Sequence, residues 1–255
     1  MTRPTERAGV RALATSIGGA LALCVSAPAA ASVPTPPAPQ TPGTRVERLS
    51  NETTLTSWAH PAASLPVRRS PRSGSPSIAR LRQRTEHGSP EVYLLLGRRT
   101  GPDGNAWIRV RLPMWPNGAT GWVPAGGLGR IHTVTTQLVI DRRRLRATLL
   151  RGARRIWSSR VAIGTPRTPT PAGRFWIRER IRVARSSGPY GPWAFGTSAY
   201  SLLRAWPGGG VVGIHGTNQP RLIPGRPSHG CVRLPNPAIR RLAKLMPIGT
   251  PIHIR

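Results

Sequence analysis

Arg174-Phe175-Trp176-Ile177-Arg178-Glu179-Arg180-Ile181-Arg182-Val183 alternates side-chain character with a period of two. Successive side chains of a strand point to opposite faces. Phe175, Ile177, Ile181 and Val183 therefore share one face, and Arg174, Trp176, Arg178, Arg180 and Arg182 share the other. That is the pattern of an amphipathic strand, not of a helix. The same reading extends outward. Thr135 to Asp141 and Leu145 to Leu150 are strand-like, separated by a basic turn at Arg142-Arg143-Arg144, and Arg155 to Ile163 is a further candidate. Gly164 to Gly173 contains three prolines and is predicted to be irregular. Val211 to Ile214 is a short apolar strand leading into His215, and Ile252 to Ile254 is a last one. A helix is predicted only at Pro237 to Met246. Asn236 is expected to be its N-cap, Pro237 its first position, and Ile239, Leu242, Ala243 and Met246 its apolar stripe. The fold class is mainly β with one C-terminal helix.

Upstream, Glu91 to Leu96, Ala106 to Leu112 and Thr120 to Pro124 read as short strands. Gly101-Pro102-Asp103-Gly104-Asn105 and Asn117-Gly118 mark the turns between them. Residues 79–130 are thus expected to form a small β-barrel module, with Trp107 and Trp122 in its core. Its Trp-Ile-Arg-Val strand and Gly-Trp-Val-Pro ending resemble bacterial Src-homology-3-like modules. Residues 32–78 are rich in Pro, Ser, Thr and Arg and are expected to be a disordered, extended spacer.

Arg3, Arg7 and Arg11 precede an uncharged apolar stretch from Ala12 to Val25, followed by Ala29-Ala30-Ala31. This order is that of a secretory signal peptide covering residues 1–31. An uncleaved membrane anchor is the alternative. Cys24 falls in the apolar stretch, behind Leu23, which is too large for a lipoprotein signal. The mature chain then holds one cysteine, Cys231, and no intrachain disulfide is possible. A lone thiol in an oxidising compartment is a liability unless it does chemistry.

The formal charge of +30 comes from arginine, Lys244 being the only lysine. A bias toward arginine codons accounts for it without function. Attraction to an anionic cell-wall polymer or membrane surface is the functional reading. Nucleic acid fits poorly, since no binding module is recognisable and the arginines are dispersed.

The chemistry is concentrated in His215-Gly216-Thr217-Asn218 and Ser228-His229-Gly230-Cys231-Val232-Arg233. A cysteine nucleophile needs a base or a positive field. His229 precedes Cys231 by two residues and would point outward in parallel with it, whereas His215 comes from a separate strand end. His215 is therefore the expected base and His229 a supporting group. Carboxylates are scarce after residue 130, only Asp141 and Glu179. The group that orients His215 is then expected to be a backbone carbonyl, Gly216 being well placed. Gly230 allows a tight turn, and its N–H and that of Cys231 are natural oxyanion donors. Such a set supports acyl transfer through a thioester. Zinc held by His215, His229, Cys231 and His253 is the rival, disfavoured by the His-x-Cys spacing.

The Ser228-His229-Gly230-Cys231 run behind His215-Gly216 resembles the active-site signature of L,D-transpeptidases (the YkuD domain). Thr170-Pro171-Ala172-Gly173-Arg174-Phe175 is similar to that family's Thr-Pro-x-Gly-x-Phe segment. The resemblance covers Val134 to Arg255, within a catalytic domain placed at residues 131–255. It implies a YkuD-like β-rich catalytic domain that cross-links peptidoglycan stem peptides without metal or cofactor. By the resemblance, Cys231 is the nucleophile, His215 the base, Gly216 the source of the orienting carbonyl, and His229 and Gly230 flank the oxyanion site. Arg233, where many members have Asn, and Ser228 are expected to contact substrate, Arg233 through a carboxylate. Water could resolve the same acyl-enzyme, giving a carboxypeptidase or a cross-link-cleaving amidase. A wall-binding protein without catalysis is the reading from another class.

Overall fold

The computed structural model describes residues 46–203 and 209–255, all within one compact unit. The expected signal segment, Cys24 and the first part of the spacer lie outside the described residues. Eight strands come first: β1 (Glu47–Arg48), β2 (Thr56–Pro61), β3 (Pro66–Arg68), β4 (Ser77–Arg80), β5 (Tyr93–Thr100), β6 (Ala106–Arg111), β7 (Thr120–Pro124) and β8 (Leu128–Val134). They form a sheet in the order β4-β3-β7-β6-β5-β2-β8, with β1 paired to β5. Its core is built from Ala59, Val67, Leu81, Tyr93, Leu95, Ile108, Val110 and Val123. Trp107 is 2% exposed, in keeping with its expected core position.

The spacer expectation is corrected here. Residues 46–78 contain three of these strands and the start of a fourth, and the first sheet begins well before residue 79. Polar residues build the order that composition concealed. The Asn51 side-chain oxygen accepts N–H bonds from Thr53, Thr54 and Leu55 at 2.9, 2.9 and 3.0 Å, closing a turn in the way Asx residues do. Pro61 and Pro66 stand at strand termini, where a missing N–H is tolerated.

The second sheet holds β9 (Thr136–Asp141), β10 (Arg146–Arg151), β11 (Arg154–Arg160), β12 (Ala162–Gly164), β13 (Gly173–Arg182), β14 (Trp193–Tyr200), β15 (Val211–His215), β16 (Gly225–Ser228), β17 (Val232–Arg233) and β18 (Pro251–Ile254). Its order is β11-β10-β9-β18-β13-β14-β15-β17-β12-β16. The helix α1 spans Asn236–Leu245 and packs Ile239, Leu242 and Ala243 onto this core. Among the described residues, no helix is long and apolar enough to cross a membrane.

β13 joins the two halves of this sheet. Its first residues pair with β18, Phe175 opposite Ile252, and its later ones with β14 after a register shift between Ile177 and Glu179. Phe175 and Ile177 face the core that α1 covers. The opposite face meets the first sheet. Trp176 is 2% exposed and its indole N–H donates to the Val92 carbonyl at 2.8 Å. Arg178 is 1% exposed and pairs with the buried Glu91. Its Nη2 also lies 2.9 Å from Glu86. Glu179 accepts from Thr85 at 2.8 Å and lies 2.6 Å from His87 Nδ1. The strand has two interior faces, one apolar and one charged.

β14 was not apparent in the sequence. It is buried on nearly every residue, and a strand covered on both faces does not alternate.

Candidate active site

β15 and β17 lie side by side in parallel, Ile214 opposite Val232 and His215 opposite Arg233. Cys231 stands one residue before β17, level with Gly213. Residues two apart on a strand share a face, so His215, two beyond Gly213, is the diagonal neighbour of Cys231. The Gly213 N–H donates to Cys231 Sγ at 3.3 Å. A Cβ placed on Gly213 would stand 3.7 Å from the His215 ring and 3.8 Å from Cys231 Sγ. Thiol and imidazole thus flank one methyl-sized space, kept open by the absence of a side chain.

His215 is 4% exposed. Its Nδ1 lies 2.6 Å from the Gly216 carbonyl oxygen. A carbonyl only accepts, so Nδ1 carries the proton and Nε2 presents its lone pair. Burial is the main cause that lowers the His215 pKa to about 4; the Gly216 bond opposes it and the Arg233 charge adds to it. The Cys231 thiol is pushed up, chiefly by burial, against the Gly213 N–H and Arg233, which favour the thiolate. Near neutral pH the pair is thiol and imidazole rather than thiolate and imidazolium. Tyr190, itself exposed, sets its ring edge-on to His215 at 4.9 Å and 64°.

Gly216 cannot carry a side chain, since a Cβ there would meet Asn236 Oδ1 at 2.4 Å and Gly191 Cα at 3.0 Å. Asn236 was expected as the N-cap of the helix. Pro235 holds that position instead, and the Asn236 side chain accepts the Thr217 N–H at 2.9 Å. The helix start is thereby tied to the loop that orients the base.

The turn before Cys231 is closed by Ser228. Its hydroxyl donates to the Cys231 carbonyl at 2.6 Å and accepts the Gly230 N–H at 3.2 Å. Two expectations change. Ser228 is 1% exposed and fixes the turn, so it is a positioning residue rather than a substrate contact. The Gly230 N–H is engaged within the turn by the Ser228 hydroxyl, which takes it away from the expected oxyanion role. Gly230 itself has φ +123°, with Ser201 Cβ 3.2 Å from where its own Cβ would be. Thr170 completes the clasp, donating to the Gly230 carbonyl at 2.7 Å and accepting the Gly164 N–H at 2.9 Å. His229 is exposed on the same turn. Arg233 is half-buried. Its Nη1 reaches Gln219 Oε1 at 3.5 Å, and its Nε is buried without a hydrogen-bond partner. His253, counted in the zinc set, stands on β18, separated from β15 by β13 and β14.

Tyr190, Gly213 and Asn236 belong to the site and were not assigned to it from sequence. Tyr190 and Asn236 reach it only through the fold. Gly213, two residues before His215, was the one with a local signal.

Residues 135–254 match the family model described as the YkuD L,D-transpeptidase catalytic domain. The YkuD protein of Bacillus subtilis (strain 168) is 37% identical over 94 residues, which is 37% of this chain and 50% of that protein. The chain thus spans about half the length of the curated relatives it matches. Among solved structures, an L,D-transpeptidase from Mycobacterium smegmatis covers 83% of this chain and 100% of its own, at 15% identity and a TM-score of 0.41. An Enterococcus faecium L,D-transpeptidase covers 47% of this chain and 49% of its own, at 23% identity and a TM-score of 0.38.

Proposed function

We propose that the chain is an exported cysteine enzyme that cross-links peptidoglycan stem peptides, with residues 135–254, which match the YkuD L,D-transpeptidase catalytic domain, as its catalytic part. The observation that carries the reading is the Nδ1–H bond of His215 to Gly216 at 2.6 Å, on the strand beside Cys231. It leaves Nε2 as the base that a neutral thiol requires. As sulfur attacks the carbonyl carbon of the L-centre residue in a donor tetrapeptide, its proton passes to Nε2. The carbon–nitrogen bond to the terminal D-residue breaks, and that nitrogen leaves with the proton. An amine from a neighbouring stem then attacks the thioester, an amide forms, and the proton returns to sulfur through Nε2. The Cys231 N–H serves the oxyanion. The half-buried Arg233 is assigned to a substrate carboxylate, and the exposed His229 to the substrate side of the turn with no proton transfer.

The arginine-rich start, apolar run and Ala29-Ala30-Ala31 support export to the cell wall or periplasmic space. Membrane contact would come only through an uncleaved signal segment. The first sheet, which we read as a Src-homology-3-like module, covers β13 and buries its charged face. Anionic wall polymers are partners the net charge favours.

The test uses the purified chain with disaccharide-tetrapeptide substrate, read by mass spectrometry. A covalent adduct on Cys231 and a dimer that has lost one terminal D-residue are expected. Tripeptide monomers alone would make it a carboxypeptidase, and cleavage of added dimers an amidase. Product formation by Cys231→Ala would overturn the thioester mechanism altogether.

A further inference from the structure

A cavity of about 570 Å³ at the other side of the Cys231 turn is lined by Asp141, Arg142, Arg143, Arg226 and Arg255. Four guanidinium side chains stand against one carboxylate side chain. The carboxylate is already engaged, since Asp141 Oδ1 accepts the N–H groups of Arg143 and Arg144 at 3.1 and 2.9 Å. Its other oxygen lies only 3.6 Å from Arg255. Like charges held this close repel in the free protein. They come from three separate parts of the chain, so helix or turn propensity does not explain their meeting. Arg142 is fixed there, its Nη1 donating to the Thr170 carbonyl at 2.9 Å and its N–H to the Arg255 carbonyl at 2.8 Å. Its Nε is buried without a hydrogen-bond partner. Arg226 Nη2 donates to the Arg142 carbonyl at 2.7 Å.

We propose that this cavity binds phosphoryl groups of an anionic polymer. Planar forks suit tetrahedral phosphate oxygens, and several of them converging suit a ligand with more than one charge. A single carboxylate ligand would leave guanidinium charge uncompensated. The position adds meaning. Thr170, on which Arg142 rests, also clasps Gly230, and Arg226 stands two residues before Ser228. A polymer held here touches Arg142, which Thr170 links to the turn that carries the thiol. The inference concerns binding and stands apart from the reaction proposed above.

The full chain is titrated with poly(glycerol phosphate), with inorganic phosphate as the comparison probe. The double variant Arg143→Gln/Arg255→Gln should weaken polymer binding about ten-fold or more, as loss of charge-assisted contacts would. Arg154→Gln/Arg155→Gln removes equal charge elsewhere and should weaken it less than about two-fold. Equal losses in the two variants would reduce the effect to net charge and overturn the site. Inorganic phosphate binding as tightly per phosphoryl group as the polymer would reassign the site to the free ion. Absence of polymer binding by the unaltered chain would end the proposal. Footprinting needs no variant: polymer should protect Arg143, Arg226 and Arg255 from phenylglyoxal in the unaltered chain, and unchanged modification of all three would equally overturn it.

Discussion

Glu91 and His215 are almost equally buried, at 0% and 4% exposure, yet their surroundings treat charge in opposite ways. Glu91 sits where the two sheets meet, ion-paired with Arg178, which also lies 2.9 Å from Glu86. The neighbouring Tyr200 hydroxyl donates to Glu86 at 2.6 Å. Burial drives the Glu86 carboxyl up, but Arg178, Tyr200 and Arg82 outweigh it and hold it down at about 2. Among the described residues, His215 is bonded to the Gly216 carbonyl and to no carboxylate. Burial there keeps both histidine and cysteine neutral. The seam between sheets holds charges that are already compensated and so resists change. The candidate site holds its thiol and imidazole uncharged, which suits the proposed reaction, in which a proton moves only as sulfur attacks.

The sharpest way to break this contrast is to remove the base. His215→Ala should lower the acylation rate about 10²–10⁴-fold, with folding retained, in a single-turnover assay. Since the imidazole is neutral near pH 7, its loss removes a proton acceptor and not a positive field. The pH midpoint for Cys231 alkylation should therefore not rise by the amount that loss of an imidazolium would cause. A large upward shift would mean that the pair is ionised after all.

Arg178→Met attacks the other region. It leaves the buried Glu91 with only the longer Arg82 contact at 3.4 Å, and breaking a buried pair typically costs about 3–5 kcal/mol. Urea unfolding should show that loss, while the alkylation rate of the folded protein stays within about two-fold. The double variant Arg178→Met/Glu91→Gln should recover much of the stability. A rate that falls with stability would show that the seam is part of the site.

Acid should separate the two regions by pH. The folded pKa of His215, about 4, lies below its ordinary 6.5. As pH falls the unfolded chain takes up that proton first. The stability linked to His215 is therefore whole above pH 6.5 and lost toward pH 4, by ~3 kcal/mol. Glu86, depressed from 4.5 to about 2, contributes stability that is whole above pH 4.5 and lost toward pH 2. His215→Gln should flatten the upper window of a stability–pH profile and leave the lower one. Glu86→Gln should do the reverse. One variant flattening both would merge what the structure keeps apart.

The smallest effect is expected at Tyr190. An edge-on aromatic pair contributes about 0.5–1.5 kcal/mol, so Tyr190→Ala should slow acylation about two- to ten-fold. Tyr190→Phe keeps the ring edge and should restore the rate; if it does not, the hydroxyl is the part that matters.

How much of this was legible in sequence depended on range. Cys231, His215 and Gly216 lie close along the chain, and residue type and spacing alone single them out as a candidate set. Strand β13 was equally plain, yet only half understood. A row of arginines on alternate positions suggests a face turned to solvent, and nothing local announced that Glu91 and Val92, some eighty residues earlier, would cover Arg178 and Trp176. Nor does the span Val134 to Arg255, over which the family resemblance runs, announce in its own residues that it leans on the earlier sheet. Cut free, that piece would expose Trp176 and strand Arg178 without its carboxylates. β14 escaped because burial on both sides erases periodicity. The order in residues 46–78 escaped because turns made by Asn and Ser look like spacer in composition. Ser228 and Gly230 stood out by position, but that they bond to each other across the turn is a product of the fold.

Asn236 opens the helix, and its amide oxygen holds the N–H of Thr217, one residue past the carbonyl that sets the His215 proton. The helix is therefore a registration pin for the base. Were it to slide by a fraction of a turn, Gly216 would rotate away, Nδ1 would lose its acceptor, and the imidazole could exchange its two nitrogens. The tautomer of one ring is in this way written into the docking of a ten-residue helix that supplies neither thiol nor imidazole, and a nitrogen-15 spectrum of His215 would serve as a gauge of how firmly that helix is seated.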